Sequence, residues 1–273
     1  MASFILPIFV VLGVFAFVTP RVTFSQATCT AAASGDWETA STWNCTGMES
    51  SPNGYPDAAD EDAIISGVLE VTISNGTNPL TVGNLTIDDD GILSSANFVA
   101  EREVDFESIS IQQTTDPSTF RPSTLILKDG DAGFVPRVKG DFTNTASSQN
   151  NQAPFQSSGQ TVEFDGGVAQ TVSGNVFITN TFSTVRIEAG SDVTFSDQTS
   201  FGDLIVDGGS SATLEALSTL TVNTAGNNNV SVNDGTLTFN RLGIAGSLSI
   251  GVDGQAVHDS SLLTVGGNFS NDG

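Results

Sequence analysis

Three acidic clusters are the residues of this 273-residue chain most suggestive of chemistry: Asp57, Asp60, Glu61 and Asp62, then Asp88, Asp89 and Asp90, then Asp129 and Asp131. Calcium favours several hard oxygen ligands offered by one short segment, so it is the one cofactor such clusters could hold. None has the spacing of an EF-hand loop or of the glycine-rich nonapeptide repeat. With 31 acids in the chain such clusters arise by composition. Solvated turns are the plainer reading, and no cofactor is assigned. Cys29, Cys45 and His258 are the only cysteine and histidine residues, too few and too far apart for a Cys/His zinc site.

Catalytic patterns are equally sparse. No Gly-x-Ser-x-Gly, His-Glu-x-x-His or phosphate-binding loop occurs. A Ser–His pair would rest on His258 alone, and its surroundings, Gln255-Ala-Val-His-Asp-Ser260, read as an exposed turn. A glycoside hydrolase needs two carboxylates flanking one bond, one with a raised pKa. A lyase needs a Lys or Arg base, and beyond Arg21 the basic residues are Arg102, Arg121, Lys128, Arg137, Lys139, Arg186 and Arg241. They are scattered, with Lys128, Arg137 and Lys139 the only modest grouping. The sequence therefore points to a non-enzymatic chain. A polysaccharide-binding or polysaccharide-cleaving protein, lyase or glycoside hydrolase, is the alternative.

The elements that would position these residues follow from composition and periodicity. The formal charge is −23, with eight bases against 31 acids. Such a surface repels nucleic acid and anionic membranes, and it is one adaptation to high salt, so a halophilic source is expected. Hydrophobic residues still make up 38% of the chain, enough to bury a core. Phe4 to Val18 is an almost unbroken apolar run, followed by Pro20 and by Ser25-Gln-Ala27. Residues 1–27 are read as a signal peptide removed on export, although no Lys or Arg precedes Arg21. No later apolar run reaches membrane length, so no transmembrane segment is expected in the mature chain. In an exported protein the two cysteines, Cys29 and Cys45, are expected to form one disulfide.

From residue 63 onward the period is two. Leu69-Glu-Val-Thr-Ile73, Ser108-Ile-Ser-Ile111, Thr161-Val-Glu-Phe164, Thr184-Val-Arg-Ile187 and Asp192-Val-Thr-Phe195 alternate polar and apolar residues. So do Thr219–Val222, Asn229–Val232, Thr236–Phe239 and Ser247–Ile250. Each segment predicts a strand with its apolar side chains on one face. Asp207-Gly-Gly, Asn233-Asp-Gly and Val252-Asp-Gly read as turns between them. Gly202-Asp-Leu-Ile-Val, Gly235-Thr-Leu-Thr-Phe and Gly246-Ser-Leu-Ser-Ile share one form, and that repetition favours stacked turns with Leu204, Leu237 and Leu248 in equivalent core positions. The fold expected is all-β, a right-handed parallel β-helix (solenoid), with a β-sandwich as the alternative. Residues 28–62 form an N-terminal cap containing Trp37 and Trp43. Residues 63–273 form the repetitive part, read as truncated because Val265–Gly273 resembles one more turn with no closing cap.

Two stretches resemble known modules. Gly35-Asp-Trp37-Glu-Thr-Ala-Ser-Thr-Trp43, followed by Pro56-Asp-Ala-Ala-Asp60-Glu-Asp62-Ala-Ile-Ile65, is similar to the opening module of large Bacteroidota-type surface proteins and to the extracellular domain named for its eight glycines. Val162-Glu-Phe-Asp-Gly166 with Ala169-Gln-Thr-Val-Ser-Gly174 resembles a turn recurring in the same surface proteins. The resemblance implies a β-helical, exported, repetitive protein, displayed by a type IX-like route. Cys45 and the insert before Pro56 depart from the pattern. Trp37 and Trp43 are expected to form a hydrophobic lid over the first turn, an exposed platform for sugars being the other use of such rings. Together these readings describe a secreted or cell-surface, adhesin-like spacer whose partners are extracellular polysaccharide or other cell-surface components. Asn84-Leu-Thr86 and similar sequons are matches of composition.

Overall fold

The computed structural model describes residues 26–47, 53–74, 76, 79–95, 102–113, 123–127, 134–146, 155–157, 160–174, 182–197, 201–215, 220–221, 228–240, 242–258 and 263–273. Residues 1–25 of the expected signal peptide, Asp129, Asp131, Arg121, Lys128 and Arg241 lie outside them. Among the described residues the chain is all-β, and its single helical turn is Ala40–Thr42. The strands form one sheet of sixteen, one of five and one of three. Among the described residues no helix is long and apolar enough to cross a membrane.

Among the described residues every pairing is parallel except that of Ala27–Ala31 with Trp43–Thr46. Alternation explains which side chains enter the core. In Thr161–Phe164 the even positions Val162 and Phe164 are buried and the others are half-exposed, as the strand pleat requires. The same inward position then recurs at a fixed register. Cys29 pairs with Ala63, Ala63 with Leu85, Leu85 with Ile109, and Ile109 with Phe142. The column continues through Val172, Phe195, Leu214 and Phe239 to His258. All of its members before His258 are buried. A second column runs Val82, Phe106, Val138, Phe164, Ile187, Val206, Val232 and Ile250, also buried throughout. A third, Val71, Leu93, Leu125 and Phe155, builds the five-stranded sheet. One hydrophobic cluster joins all three columns.

Phenylalanines thicken this core in its middle. Phe182 lies 4.8 Å from Phe155 and 5.5 Å from Phe142, ring centre to ring centre, within the range of favourable aromatic pairs. Glycine is needed where successive strands approach too closely for a side chain. A Cβ at Gly166 would overlap the carbonyl oxygen of Lys139, and one at Gly174, whose φ is +91°, would overlap that of Asn144. Both belong to the Val162–Gly174 stretch. Its Gln170 is buried and donates from Nε2 to the carbonyls of Val138 at 2.7 Å and Gly140 at 2.9 Å, tying one strand to the level before it.

Three sequence expectations are corrected. Leu204 and Leu248 share one ladder through Val230, but Leu237 pairs with Ala212 on another. Asn233-Asp-Gly235 and Val252-Asp-Gly254 do not separate strands. They lie inside Val230–Phe239 and Leu248–His258, where a register shift between Val232 and Asp234 bends the pair without ending it. His258 is the last residue of a strand rather than part of a turn, exposed and stacked 6.0 Å from Phe239.

Candidate functional site

A group of ionisable side chains lies on the outer face of the Val82 column. Four strands there carry a charged–apolar–charged triplet: Glu103-Val-Asp105, Arg137-Val-Lys139, Glu163-Phe-Asp165 and Arg186-Ile-Glu188. The apolar residue enters the core and its neighbours point outward, so each triplet presents two charges side by side. Parallel register then places Asp105 opposite Arg137, Arg137 opposite Glu163, and Glu163 opposite Arg186. Signs alternate along that row, the arrangement that cross-strand pairing rewards.

One contact joins register partners, and the others run diagonally between strands or along one strand. Arg137 donates from Nη1 and Nη2 to the two carboxylate oxygens of Glu103 at 3.0 and 2.8 Å, and from Nε to Glu163 at 3.0 Å. Lys139 reaches Asp105 at 3.1 Å, and Arg186 reaches Glu188 at 3.0 Å. Partial burial works against the charge of Arg137, but its hydrogen bond to Glu163 and the nearby charges of Glu103, Glu163 and Asp165 hold its pKa above the ordinary value. Burial likewise opposes Lys139, and its bond to Asp105 outweighs it, raising the pKa. The carboxyls lose more than they gain. Burial raises the pKa of Glu163 despite Arg137, and burial with the charge of Asp105 raises that of Asp165. Asp165 Oδ1 has no hydrogen-bond partner.

The described acids among those singled out in the sequence hold local groups. Asp62 Oδ1 accepts from Gln26 Nε2 at 2.7 Å, from the Asn84 amide at 2.7 Å and from Asn84 Nδ2 at 2.9 Å, bridging two levels. Glu61 is buried, accepts from the Asp57 amide at 2.7 Å, and has a pKa raised by burial and by the Asp57 charge. Asp88 closes its own turn by accepting from the Asp89 amide at 2.8 Å. These carboxylates engage separate backbone groups, and among the described residues no three Asp, Glu, His or Cys side chains form a metal-holding group.

Cys29 and Cys45 face each other across the antiparallel pair with Sγ atoms at bonding distance, 2.00 Å. Trp37 and Trp43 are buried edge to face, 4.8 Å apart. Trp43 Nε1 donates to the Trp37 carbonyl at 2.7 Å and Trp37 Nε1 to the Pro56 carbonyl at 2.8 Å, so neither ring offers a face to a ligand. A buried cation, Arg102, lies beneath this segment 3.1 Å from Glu38, its pKa lowered by burial against the opposing pull of Glu38 and Asp36. Sequence reasoning grouped Arg137 and Lys139 with Lys128, which lies outside the described residues, and named Arg102 only as one of the scattered bases, without the acidic partners of any of them. The signal was the triplet pattern itself, four charged pairs at a spacing of two. In comparisons with known protein families, curated proteins and solved structures, no match to this chain is found.

Proposed function

We propose that the chain is a right-handed parallel β-helix acting as a non-enzymatic, extracellular spacer or adhesive module. Residues 28–62 serve as its cap and residues 63–273 as its repetitive part, after removal of a signal peptide at 1–27. The observation that carries this reading is the Cys29 column, in which one inward position recurs in parallel register from Cys29 to Phe239. A chain that coils on itself produces such a column, and parallel crossovers are almost always right-handed. Length in such a coil grows by adding turns while the core stays continuous, which suits a stiff surface spacer. The Gly35–Trp43 and Val162–Gly174 stretches agree with a module of the Bacteroidota-type surface proteins. The charges of Arg137, Lys139 and Arg186 are engaged by carboxylates of the same face, those of Arg137 and Lys139 by carboxylates of neighbouring strands.

One observation favours a second reading. Asp165, its pKa raised by burial and by the charge of Asp105, forms a carboxyl pair with that residue, and glycoside hydrolysis works through two carboxyl groups. A polysaccharide array run with calcium and with chelator separates the two. Retention without shortened sugars is expected of an adhesive module, and no retention of a pure spacer. Release of shortened sugars that is lost in Asp165→Asn would overturn the non-enzymatic reading.

A further inference from the structure

We propose that the open end of the stack, the level formed by residues 253–258, 263–265 and 269–271, pairs with the same level of a second copy of this chain about a two-fold axis. The inference rests on the parallel register and is independent of the spacer or adhesive reading. Each level of the stack covers the one before it. Phe269 stands opposite Leu248, and Leu263 and Val265 stand opposite Leu242 and Ile244. Those three partners are buried, whereas Phe269 is 58% and Leu263 36% exposed. Among the described residues, 269–271 pairs only with 248–250 and 263–265 only with 242–244. The inward apolar positions of the core thus continue onto a face that no described strand covers.

The backbone of this level is half used. The Asn268 carbonyl accepts from the Leu248 amide at 3.0 Å, and the Asp272 amide donates to the Ile250 carbonyl at 3.0 Å. Even-numbered residues therefore turn their polar groups toward the level before, and strand alternation turns those of Phe269 and Asn271 toward the open side. An edge of this kind is a template for another strand. Two copies related by a two-fold axis satisfy these groups mutually. In antiparallel pairing the Phe269 amide meets the Asn271 carbonyl of the second copy, and the Asn271 amide meets its Phe269 carbonyl. Ser270 then faces its own equivalent at the non-hydrogen-bonded position, with Cα atoms about 4.5 Å apart.

The opposite end of the stack differs. There Trp43–Thr46 already covers Ala27–Ala31, both indoles are buried, and residues 26–47 expose no large hydrophobic side chain. Like therefore meets like, which closes a dimer instead of extending a fibre. Residues 242–273 hold no Lys or Arg to draw an acidic partner. What the face offers is apolar area and unpaired backbone, and its own copy matches both. One end of a stack is small beside the roughly 1,200–2,000 Å² of a stable interface, so the pairing is reversible and depends on concentration.

The test is sedimentation equilibrium of the full chain over a concentration series, at low and at molar salt. The expected mass rises from monomer to dimer and no further, more readily in salt, which screens repulsion between two chains of charge −23. Phe269→Asp and Asn271→Pro should each restore the monomer, the second because it removes an amide that faces the open side. Val68→Asp, at an exposed residue of a distant turn, should leave the dimer intact. The two native cysteines are joined, so Ser270→Cys supplies a single thiol. It should link two chains faster than Ser231→Cys, two levels back on the same face. Circular dichroism identifies any variant that fails to fold, and the two cysteine variants keep the test open if Phe269→Asp does. A monomer at every concentration overturns the inference. So does a dimer that survives both Phe269→Asp and Asn271→Pro, growth beyond the dimer, dissociation by salt, or equal linkage in the two cysteine variants.

Discussion

Asp165 and Glu163 illustrate how a single residue's surroundings determine its contribution. Both are partly desolvated on the outer face of the Val82 column, and burial raises their pKa values above the ordinary carboxylate range. The folded chain therefore binds these protons more tightly than the unfolded chain, and stability falls as pH rises through the window between the unfolded and folded values. Arg137 and Lys139 have raised pKa values, so their contribution is complete at neutral pH and is lost only as alkaline pH passes those values. The expected outcome is a higher Tm at about pH 5 than at about pH 8, measured by circular dichroism at fixed salt. Asp165→Asn should be neutral or stabilising by up to about 1 kcal/mol, allowing for solvent screening, and should flatten that pH dependence. The core behaves oppositely. Phe182 is fully buried among Phe142, Phe155 and Phe201, so Phe182→Ala should cost about 3–5 kcal/mol in denaturant unfolding.

At the scale of elements, the antiparallel strand Trp43–Thr46 covers the edge of Ala27–Ala31, the first strand of the parallel stack, and the disulfide holds it there. An uncovered edge would offer its amides and carbonyls to another chain. Replacing Cys29 and Cys45 by serine should cost about 3 kcal/mol, largely as local order. Hydrogen exchange should quicken in 43–46 while 230–239 stays protected. Equal loosening of both would mean that the disulfide supports the whole stack. Strand positions were legible in the sequence because alternation alone separates core from surface, as in Thr161–Phe164 and Asp192–Phe195. Pairing was not. The inward position returns after 19 residues from Phe195 to Leu214 but after 34 from Cys29 to Ala63, so no fixed period marks the levels. For the same reason Leu237 looked equivalent to Leu204, since the glycine–polar–leucine form occurs in both columns. Glycine pairs such as Asp234-Gly235 read as turns, whereas a bulge lets the ladder run on. The ion row escaped because Arg137 and Glu163 become neighbours only through that hidden register.

The whole molecule combines a continuous apolar core with a surface of charge −23. Self-repulsion of that surface opposes compactness and is screened by salt. Tm should therefore be higher in molar salt than at about 0.01 M, where the Debye length reaches roughly 30 Å. Equal values would show that the acids are too well separated to matter and would remove the support for a halophilic origin. Paired cysteines on the outer face test the parallel, in-register stacking of distant segments directly. Thr194 and Thr213 are register partners, whereas Thr194 and Ser211 lie on a diagonal, because Ser211 is opposite Asp192. Under mild oxidation, Thr194→Cys with Thr213→Cys should cross-link rapidly, and Thr194→Cys with Ser211→Cys slowly, each mapped by mass spectrometry of the non-reduced chain. Rapid linkage of the diagonal pair, or of neither pair in a chain with an unchanged β spectrum, would contradict the stacked register and favour a sandwich.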